Sequence, residues 1–327
     1  MKNPCLFLFI CIFASVLFSE DGPVYHVPIH GTIDMGLPHY IQRVVNEAEA
    51  NNASAIIFDI DTFGGRVDAA TQIKDIILDS KVTTIAFINK RAISAGALIS
   101  LSCDSIFMTP GASIGAATAV DLQGNKASEK VISYMREEMA STAEANNRSR
   151  DIATAMVDEE LSIDFLLNIQ GDTLTAKNVD GFAEGKLITL STHLAVQLGI
   201  AGGEFGSIEE VLKYLELEDA EQKDMEESWS EKLVRFLTNP VVAPLFMSLG
   251  MLGLFMEIKS PGFGVPGTVG LICLALFFGS HFLVGLADMT EVIFLLAGIA
   301  LILMEILVIP GFGVVGISGI CIVFYSF

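Results

Sequence analysis

Hydrophobic positions along residues 24–108 change repeatedly between two periods, and this change predicts a chain of alternating strands and helices. Short apolar runs predict strands, and segments with apolar residues three and four apart predict amphipathic helices. Strands joined by helices are typical of parallel sheets built from right-handed βαβ units, so an α/β fold is predicted. The predicted strands are 24–33, 54–60, 83–88 and 104–108, and the predicted helices are 37–51, 67–79 and 95–102.

The following residues, up to 217, are predicted to be mainly helical. Helical spacing is seen at 131–146 and 153–158. Residues 185–199 are typical of a strand followed by a capped helix that ends at a glycine, and 207–217 form a last amphipathic helix. The acidic stretch 218–239 then predicts a solvated linker.

Beyond Pro240 the amphipathic periodicity disappears and long apolar runs begin. Each run is close to the length that spans a bilayer, which predicts a transmembrane region over 240–327. The sequence stops at Phe327 inside an apolar run, so we expect this region to be incomplete and the chain to be part of a longer protein. The apolar runs are 241–256, 265–286 and 292–309.

The membrane region contains an internal repeat. Segments 253–272 and 302–321 each place a glutamate before Pro-Gly-Phe-Gly, which predicts a helix, a tight break and a second helix. An acidic side chain in lipid is costly and is often functional. For Glu257 and Glu305 we favour the structural interpretation, in which each carboxylate reaches water or caps exposed amides at the break.

The N-terminus and the composition support a membrane protein. Residues 1–19 predict a secretory signal peptide or an uncleaved anchor, which would carry the next domain, residues 20–217, out of the cytoplasm. A hydrophobic fraction of 52% and a mean hydropathy of +0.56 exceed what a soluble domain needs. A net charge of -20 disfavours nucleic-acid binding. The five scattered cysteines predict neither a disulfide framework nor a metal site.

Candidate chemistry centres on Ser94, which lies shortly after the predicted strand 83–88. The small residues Ala95, Gly96 and Ala97 follow it, and small side chains permit a sharp strand-to-helix turn that exposes a hydroxyl beside free amides. The pair Gly64-Gly65 closes the predicted strand 54–60, and its amides are candidates to hold an oxyanion. A hydroxyl and amide donors at two strand ends are the minimum for acyl transfer.

A serine nucleophile needs a base, and the histidines of this region are poorly placed to be one. Lys126 and Lys130 lie where a loop leads into a helix after the Ser94 turn. A lysine accepts a proton only when it is neutral, which requires burial. From the residues alone, Ser94 is either a nucleophile or a small serine that only packs in the turn. For Lys130 the residues alone favour an ordinary exposed lysine at the start of a helix.

Four segments resemble a known family: 58–70 (FDIDTFGGRVDAA), 91–117, 129–157 and 185–201. With the Pro-Gly-Phe-Gly repeat, they resemble the NfeD-type membrane-bound serine proteases, relatives of signal peptide peptidase A in the Clp protease/crotonase superfamily. The resemblance implies a Clp protease-like fold. Phe63 departs from the family pattern, which has a proline there.

The resemblance also implies roles for individual residues. Ser94 corresponds to the nucleophile and Lys130 to the general base of a Ser-Lys dyad. Lys126 is a second candidate for the base, because the intervening loop varies in length. The oxyanion hole corresponds to Gly64, Gly65 and Ala95.

The resemblance implies that the protein is a membrane-bound serine endopeptidase that cleaves apolar segments and needs no cofactor. A stomatin-like membrane protein is the implied substrate or partner, and we expect membrane lipid around the chain and a homo-oligomer. One alternative is a catalytically idle scaffold that organises a stomatin-like partner in the membrane. A crotonase-type enzyme acting on acyl-CoA fits poorly with a secretory signal and a membrane tail.

Overall fold

The computed structural model of the chain describes residues 22–120, 124–258, 264–285, 289–307 and 313–325. The predicted signal or anchor, residues 1–19, lies outside these residues. So do the proline and phenylalanine of both Pro-Gly-Phe-Gly breaks and the last two residues of the chain.

The N-terminal part of the described chain is built on a mostly parallel sheet of eight strands. Its main path runs β10-β1-β2-β3-β4-β9, β5 continues beside β3, and β8 pairs antiparallel with β5. A separate two-stranded hairpin joins β6 and β7. The strands are β1 (Val24–Ile33), β2 (Ala55–Gly65), β3 (Thr84–Ile93), β4 (Ser105–Met108), β5 (Ser113–Gly115), β6 (Leu166–Leu167), β7 (Thr173–Leu174), β8 (Thr189–Ser191), β9 (Gly203–Glu204) and β10 (Gln222–Asp224).

Helices cover both faces of this sheet and then form the C-terminal part of the described chain. They are α1 (Leu37–Ala50), α2 (Val67–Leu78), α3 (Ala95–Ser102), α4 (Glu129–Ala145), α5 (Arg150–Ala155), α6 (Thr192–Gln197), α7 (Ile208–Tyr214), α8 (Trp229–Leu237), α9 (Val242–Ile258), α10 (Val265–Leu283), α11 (Met289–Leu307) and α12 (Val314–Tyr325).

The central strands are apolar on both sides because both faces of the sheet are covered. Alternate residues such as Tyr25 and Phe58 enter the larger core, which contains residues of α1 to α5. Strand residues whose side chains point to the other face, such as Ile57 and Phe87, pack there against Val211 of α7. The predicted α/β fold of repeated βαβ units is therefore confirmed.

Two strands extend further than the sequence predicted. The second and third strands were predicted to end at residues 60 and 88, but pairing resumes after a bulge with Asp61 opposite Arg91 and Thr62 opposite Ala92. The glycine pair of β2 consequently lies in the strand and not in a turn after it. This extension brings the carboxyl ends of both strands together.

The prediction of a solvated linker at 218–239 is wrong for most of its length. Residues Gln222–Asp224 form β10, which pairs with the open edge of β1, and Trp229–Leu237 form α8. A capping box formed by Ser228 and Glu231 starts this helix. Its acidic side chains are neutralised in part by Arg43, which binds Glu231 at 2.8 Å.

The C-terminal helices form two packed pairs, α9 with α10 and α11 with α12. Among the described residues, α10 is the helix that is long and apolar enough by itself to cross a bilayer. Helices α8 and α9 meet that criterion only as a pair, and a bend of 71° separates them.

The carboxylates of the membrane repeat cap helix starts, as predicted. Glu257 is buried and accepts hydrogen bonds from the amides of Gly264 and Gly267, the latter at 2.7 Å. In the second copy of the repeat, buried Glu305 accepts from the amide of Gly313. Each carboxylate thus satisfies amides at the start of the next helix, which have no acceptor within that helix.

Candidate active site

Ser94 occupies a sharp turn between β3 and α3. Its φ of 57° and ψ of -120° are unusual for a residue with a side chain. The turn is held by its backbone, since the Ser94 amide donates to the carbonyl of Gly115 at 3.0 Å and its own carbonyl accepts from the amide of Ala97 at 2.9 Å. Backbone strain of this kind clusters at active sites, and strained nucleophile turns occur in serine hydrolases.

Gly64, near the end of β2, lies directly against Ser94. It has a φ of +104°, and a Cβ atom added to it would stand 2.6 Å from Ser94 Cβ and 3.0 Å from Ser94 Oγ. Only a residue without a side chain fits this contact. The structure thus brings together two strand ends that the sequence marked independently.

The amide of Gly64 already has an acceptor. It donates to Thr62 Oγ1 at 2.9 Å, and the Thr62 hydroxyl donates to the carbonyl of Gly31 at 2.5 Å. Sequence reasoning missed Thr62, because only the folded backbone shows that its hydroxyl connects β1 to the glycine pair.

Two other amides near Ser94 remain candidate donors. Arg66 N donates to Ile33 O on the β1 side, and Gly65 directly precedes it at the end of β2. Ala95 begins α3, and the first amides of a helix have no acceptor within it. The amides of Gly65 and Ala95 therefore stay candidates for the oxyanion hole.

The lysines predicted as bases lie on and just before α4, which packs against α3. Lys130 is in the first turn of α4 with an exposed side chain, and the structure gives no hydrogen bond between it and Ser94 among the described residues. Lys126 is bound to Glu159 Oε1 at 3.2 Å, and this hydrogen bond raises the pKa of Lys126. Lys126 therefore holds its proton more firmly than an unpaired lysine does.

An exposed aromatic residue stands beside the glycine pair. The side chain of Phe63 is 72% exposed, and the guanidinium of Arg91 lies 4.4 Å from the centre of its ring. Arg91 is itself held by Asp61, with its Nε 3.2 Å from a carboxylate oxygen. The cation–π contact holds this exposed ring one residue before Gly64, which contacts Ser94. The residue that departs from the family pattern thus adjoins the glycine pair.

Gly65 is one of the residues that line a cleft of about 940 Å³. We call it the Gly65 cleft. Sequence reasoning missed it because its walls come from separate parts of the chain, and no local pattern connects them. Its lining residues are Thr32, Gly65, Arg66, Val67, Asp68, Thr71, Val120, Tyr134 and Pro240.

A parallel sheet with a strained serine after the third strand and a glycine-bearing strand end beside it defines a Clp protease-like α/β domain. Solved structures of the membrane-bound stomatin-specific protease 1510-N share this fold. A lysine-to-alanine variant with a substrate peptide is 25% identical and covers 67% of this chain and 99% of that chain, with a TM-score of 0.54. A serine-to-alanine variant is 24% identical over 64% of this chain and 99% of that chain, with a TM-score of 0.51.

The family models match almost the whole described chain: the N-terminal domain of NfeD1b matches residues 23–225, and the NfeD integral membrane domain matches residues 241–327. The chain therefore belongs to the NfeD family and is a membrane protein, and the predicted family resemblance is confirmed.

Two curated relatives extend this finding. Membrane protein NfeD1b of Bacillus subtilis is 39% identical over 302 residues, which cover 92% of this chain and 65% of that protein. Membrane-bound protease PH1510 of Pyrococcus horikoshii is 28% identical over 288 residues, which cover 84% of this chain and 62% of that protein. The chain thus spans just under two thirds of the length of these relatives. Its relation to proteases is at the level of the family.

Proposed function

We propose that the chain is a membrane-bound serine endopeptidase in which Ser94 is the nucleophile and Lys130 the general base. The observation that carries the proposal is the strained Ser94 turn packed against Gly64. A structural serine has no need of an unfavourable φ or of a glycine whose missing Cβ leaves room at its hydroxyl. The relationship to a membrane-bound protease supports the same reaction.

The proposed reaction has two halves. The Ser94 hydroxyl attacks a peptide carbonyl carbon while the neutral amine of Lys130 takes the hydroxyl proton. Amides of Gly65 and Ala95 donate to the resulting oxyanion, and Gly64 supplies the space for it. Collapse of this intermediate breaks the peptide bond, and Lys130 protonates the leaving amine. A water molecule then hydrolyses the ester on Ser94 and restores the hydroxyl.

Because Lys130 is exposed, we propose that the bound substrate shields it from water. A general base must be neutral, and exclusion of water favours the neutral form of an amine. An apolar peptide bound over the Ser94 turn would exclude water from the lysine side chain. Catalytic contacts also tighten when substrate binds, so the open arrangement of the free chain is compatible with the dyad.

The substrate that fits best is an apolar segment of a stomatin-like membrane protein. The relatives named as stomatin-specific proteases support this part of the proposal, as does the exposed apolar surface of Phe63. A signal peptide or anchor at residues 1–19 would place the α/β domain outside the cytoplasm, with the later helices crossing the membrane more than once. We also propose that the chain forms a homo-oligomer.

The first prediction tests the nucleophile. In the full chain in detergent, Ser94→Ala should lower cleavage of a quenched fluorescent apolar peptide by about 1,000-fold or more, because no other hydroxyl replaces the attacking group. Labelling by a fluorophosphonate probe should be lost as well. Lys130→Ala should lower turnover similarly, whereas the matched Lys126→Ala should retain it. Undiminished turnover by the Ser94→Ala chain would refute the assignment.

The exposed Lys130 also favours a second candidate, the idle scaffold. A protein that only organises a stomatin-like partner in the membrane needs no activated serine. On this alternative the unaltered chain fails to react with the fluorophosphonate probe and yet binds the partner as tightly as its Ser94→Ala variant does. Labelling of the unaltered chain that is lost in the variant excludes the scaffold.

A further inference from the structure

The α/β domain sits at one particular end of the membrane helices. Helix α9 begins at Val242 and α10 ends at Leu283, and the two helices pack as neighbours. Val284, directly after α10, belongs to the hydrophobic core of the α/β domain. The bilayer surface nearest to this domain therefore lies at the level where α9 begins and α10 ends.

Helix α8 is suited to that surface. It is bent by 71° from α9, so it runs nearly parallel to the bilayer if α9 crosses it. One side binds the α/β domain through Arg235, which forms ion pairs with Asp34 and Glu227. The side chains of Trp229 and Phe236, seven residues apart, are 78% and 55% exposed. Aromatic side chains of this kind concentrate where lipid headgroups meet hydrocarbon.

The Gly65 cleft connects this surface with the strand end beside the nucleophile. Pro240, which lies between α8 and α9, and Gly65 both line the cleft. Gly64, the neighbour of Gly65, is in contact with Ser94. The membrane-proximal segment therefore completes a wall that the α/β domain lacks by itself.

The lining of the cleft selects for apolar chains. Val120 and Tyr134 project into it with 59% and 46% of their surfaces exposed, an arrangement that leaves apolar area for a ligand to cover. The charged pair at the cleft, Arg66 and Asp68, is mutually neutralised by a contact of 2.6 Å. An uncharged extended segment can therefore enter without leaving a charge of the cleft unpaired.

We propose that the Gly65 cleft binds the apolar segment beside the membrane anchor of a second, membrane-anchored polypeptide, and presents that segment to Ser94 in an extended form. This inference rests on the proposed protease function and adds where the cleaved bond lies. The bond is close to the bilayer surface, because Pro240, shortly before α9 enters the membrane, lines the cleft.

The test uses two substrates with one cleavable apolar sequence. A short linker of about 3 residues joins the sequence to a membrane-spanning helix in the first substrate, and a flexible linker of about 30 residues does so in the second. Each is reconstituted with the full chain in phosphatidylcholine vesicles. The juxtamembrane substrate should be cleaved with a kcat/KM about tenfold higher or more. Equal cleavage, or preference for the distant segment, overturns the proposal.

A variant tests the cleft wall itself. Val120→Asp should lower kcat/KM for the juxtamembrane substrate by about 10- to 100-fold, mainly through KM, because a carboxylate replaces apolar contact with the bound segment. The control is Val131→Asp, a half-exposed valine in α4 that does not line the cleft, and it should change kcat/KM by less than about twofold. Circular dichroism verifies that both variants fold.

The outcomes separate this inference from the function on which it rests. If the unaltered chain neither cleaves nor reacts with fluorophosphonate, the protease proposal fails and the inference fails with it. If the unaltered chain cleaves both substrates alike and Val120→Asp has no effect, the protease remains and only the role of the cleft is refuted.

Discussion

At the scale of single residues, backbone contacts hold Ser94 in place. Its amide is fixed to Gly115, its carbonyl begins α3, and its side chain makes no capping bond that would occupy the hydroxyl. On the other side, Thr62 holds Gly64 through the amide of that glycine. The hydroxyl is therefore positioned by two strand ends and stays available for reaction.

This arrangement predicts a specific effect of Gly64→Ala. The new methyl group would stand 2.6 Å from Ser94 Cβ, and the φ of +104° is unfavourable for alanine. We expect a loss of about 1–3 kcal/mol in unfolding free energy from the backbone alone and a displaced Ser94 turn. Urea denaturation measures the first effect, and the rate of fluorophosphonate labelling measures the second.

Gly111→Ala provides the control for that experiment. Gly111 also has a left-handed φ, +79°, but no atom lies within 4 Å of the position of its missing Cβ. Its replacement should cost about 1–2 kcal/mol through the backbone and leave labelling intact. Normal labelling of the Gly64→Ala chain would mean that the contact with Ser94 is not critical.

Part of the site was predictable from the sequence at this scale. Small residues around Ser94 indicate a turn, and a glycine pair at a strand end indicates close approach of the backbone, so both could be found locally. The engagement of Lys126 by Glu159 could not, because the partner is 33 residues away. Exposure of Lys130 likewise depends on how α4 packs.

At the scale of elements, amino-acid composition gave a wrong prediction for a segment whose strand and helix are stabilised by tertiary contacts. The segment 218–239 is acidic and was predicted to be solvated, yet β10 and α8 form within it. The free edge of β1 offers hydrogen bonds to β10, and arginines from α1 and from α8 itself pair with Glu231 and Glu227 of the segment. A local window of sequence contains neither the edge strand nor all of the arginines.

Arg235 is predicted to be the main attachment of α8. It is largely buried, contacts Asp34 at 2.9 Å, and donates to the carbonyl of Thr32 at 3.0 Å. Arg235→Met would leave the buried carboxylate of Asp34 without its charge partner, which should cost roughly 3 kcal/mol. A lower melting temperature of the full chain in detergent, followed by circular dichroism, would report this loss.

The matched control is Arg150→Met. Arg150 also forms two ion pairs, with Glu137 and Glu144, but all three side chains are exposed. Exposed ion pairs contribute little to stability, so this variant should have the same melting temperature as the unaltered protein. Equal melting of the two variants would show that α8 does not depend on Arg235.

At the scale of the whole molecule, the change in composition at Pro240 marks where the membrane helices begin but not where the α/β domain ends structurally. Val284 follows α10 and still packs in the core of the domain. Pro240 lines the same cleft as Gly65, whose neighbour Gly64 contacts the proposed nucleophile. Hydropathy could predict an α/β region and a membrane region, but it could not predict the contacts between the two.

The position of α8 at the bilayer surface can be tested by intrinsic fluorescence, because Trp229 on α8 is the single tryptophan of the chain. If α8 lies along the bilayer, Trp229 should fluoresce at shorter wavelength in vesicles than in denaturant. Lipids brominated near the headgroup should quench it more strongly than lipids brominated near the chain end, because interfacial side chains stay shallow.

The control moves the fluorophore to the other face of the sheet. A chain with Trp229→Phe and Tyr214→Trp has its tryptophan on α7, where Tyr214 is 60% exposed, and α7 covers the sheet face opposite α1 and α8. This tryptophan should emit like one in water and escape quenching by both lipids. Deep quenching of Trp229 would instead place α8 inside the hydrocarbon, and no quenching would place it in water. Either result would detach the Gly65 cleft from the bilayer surface, because Pro240 follows α8 directly and must lie at nearly the same depth.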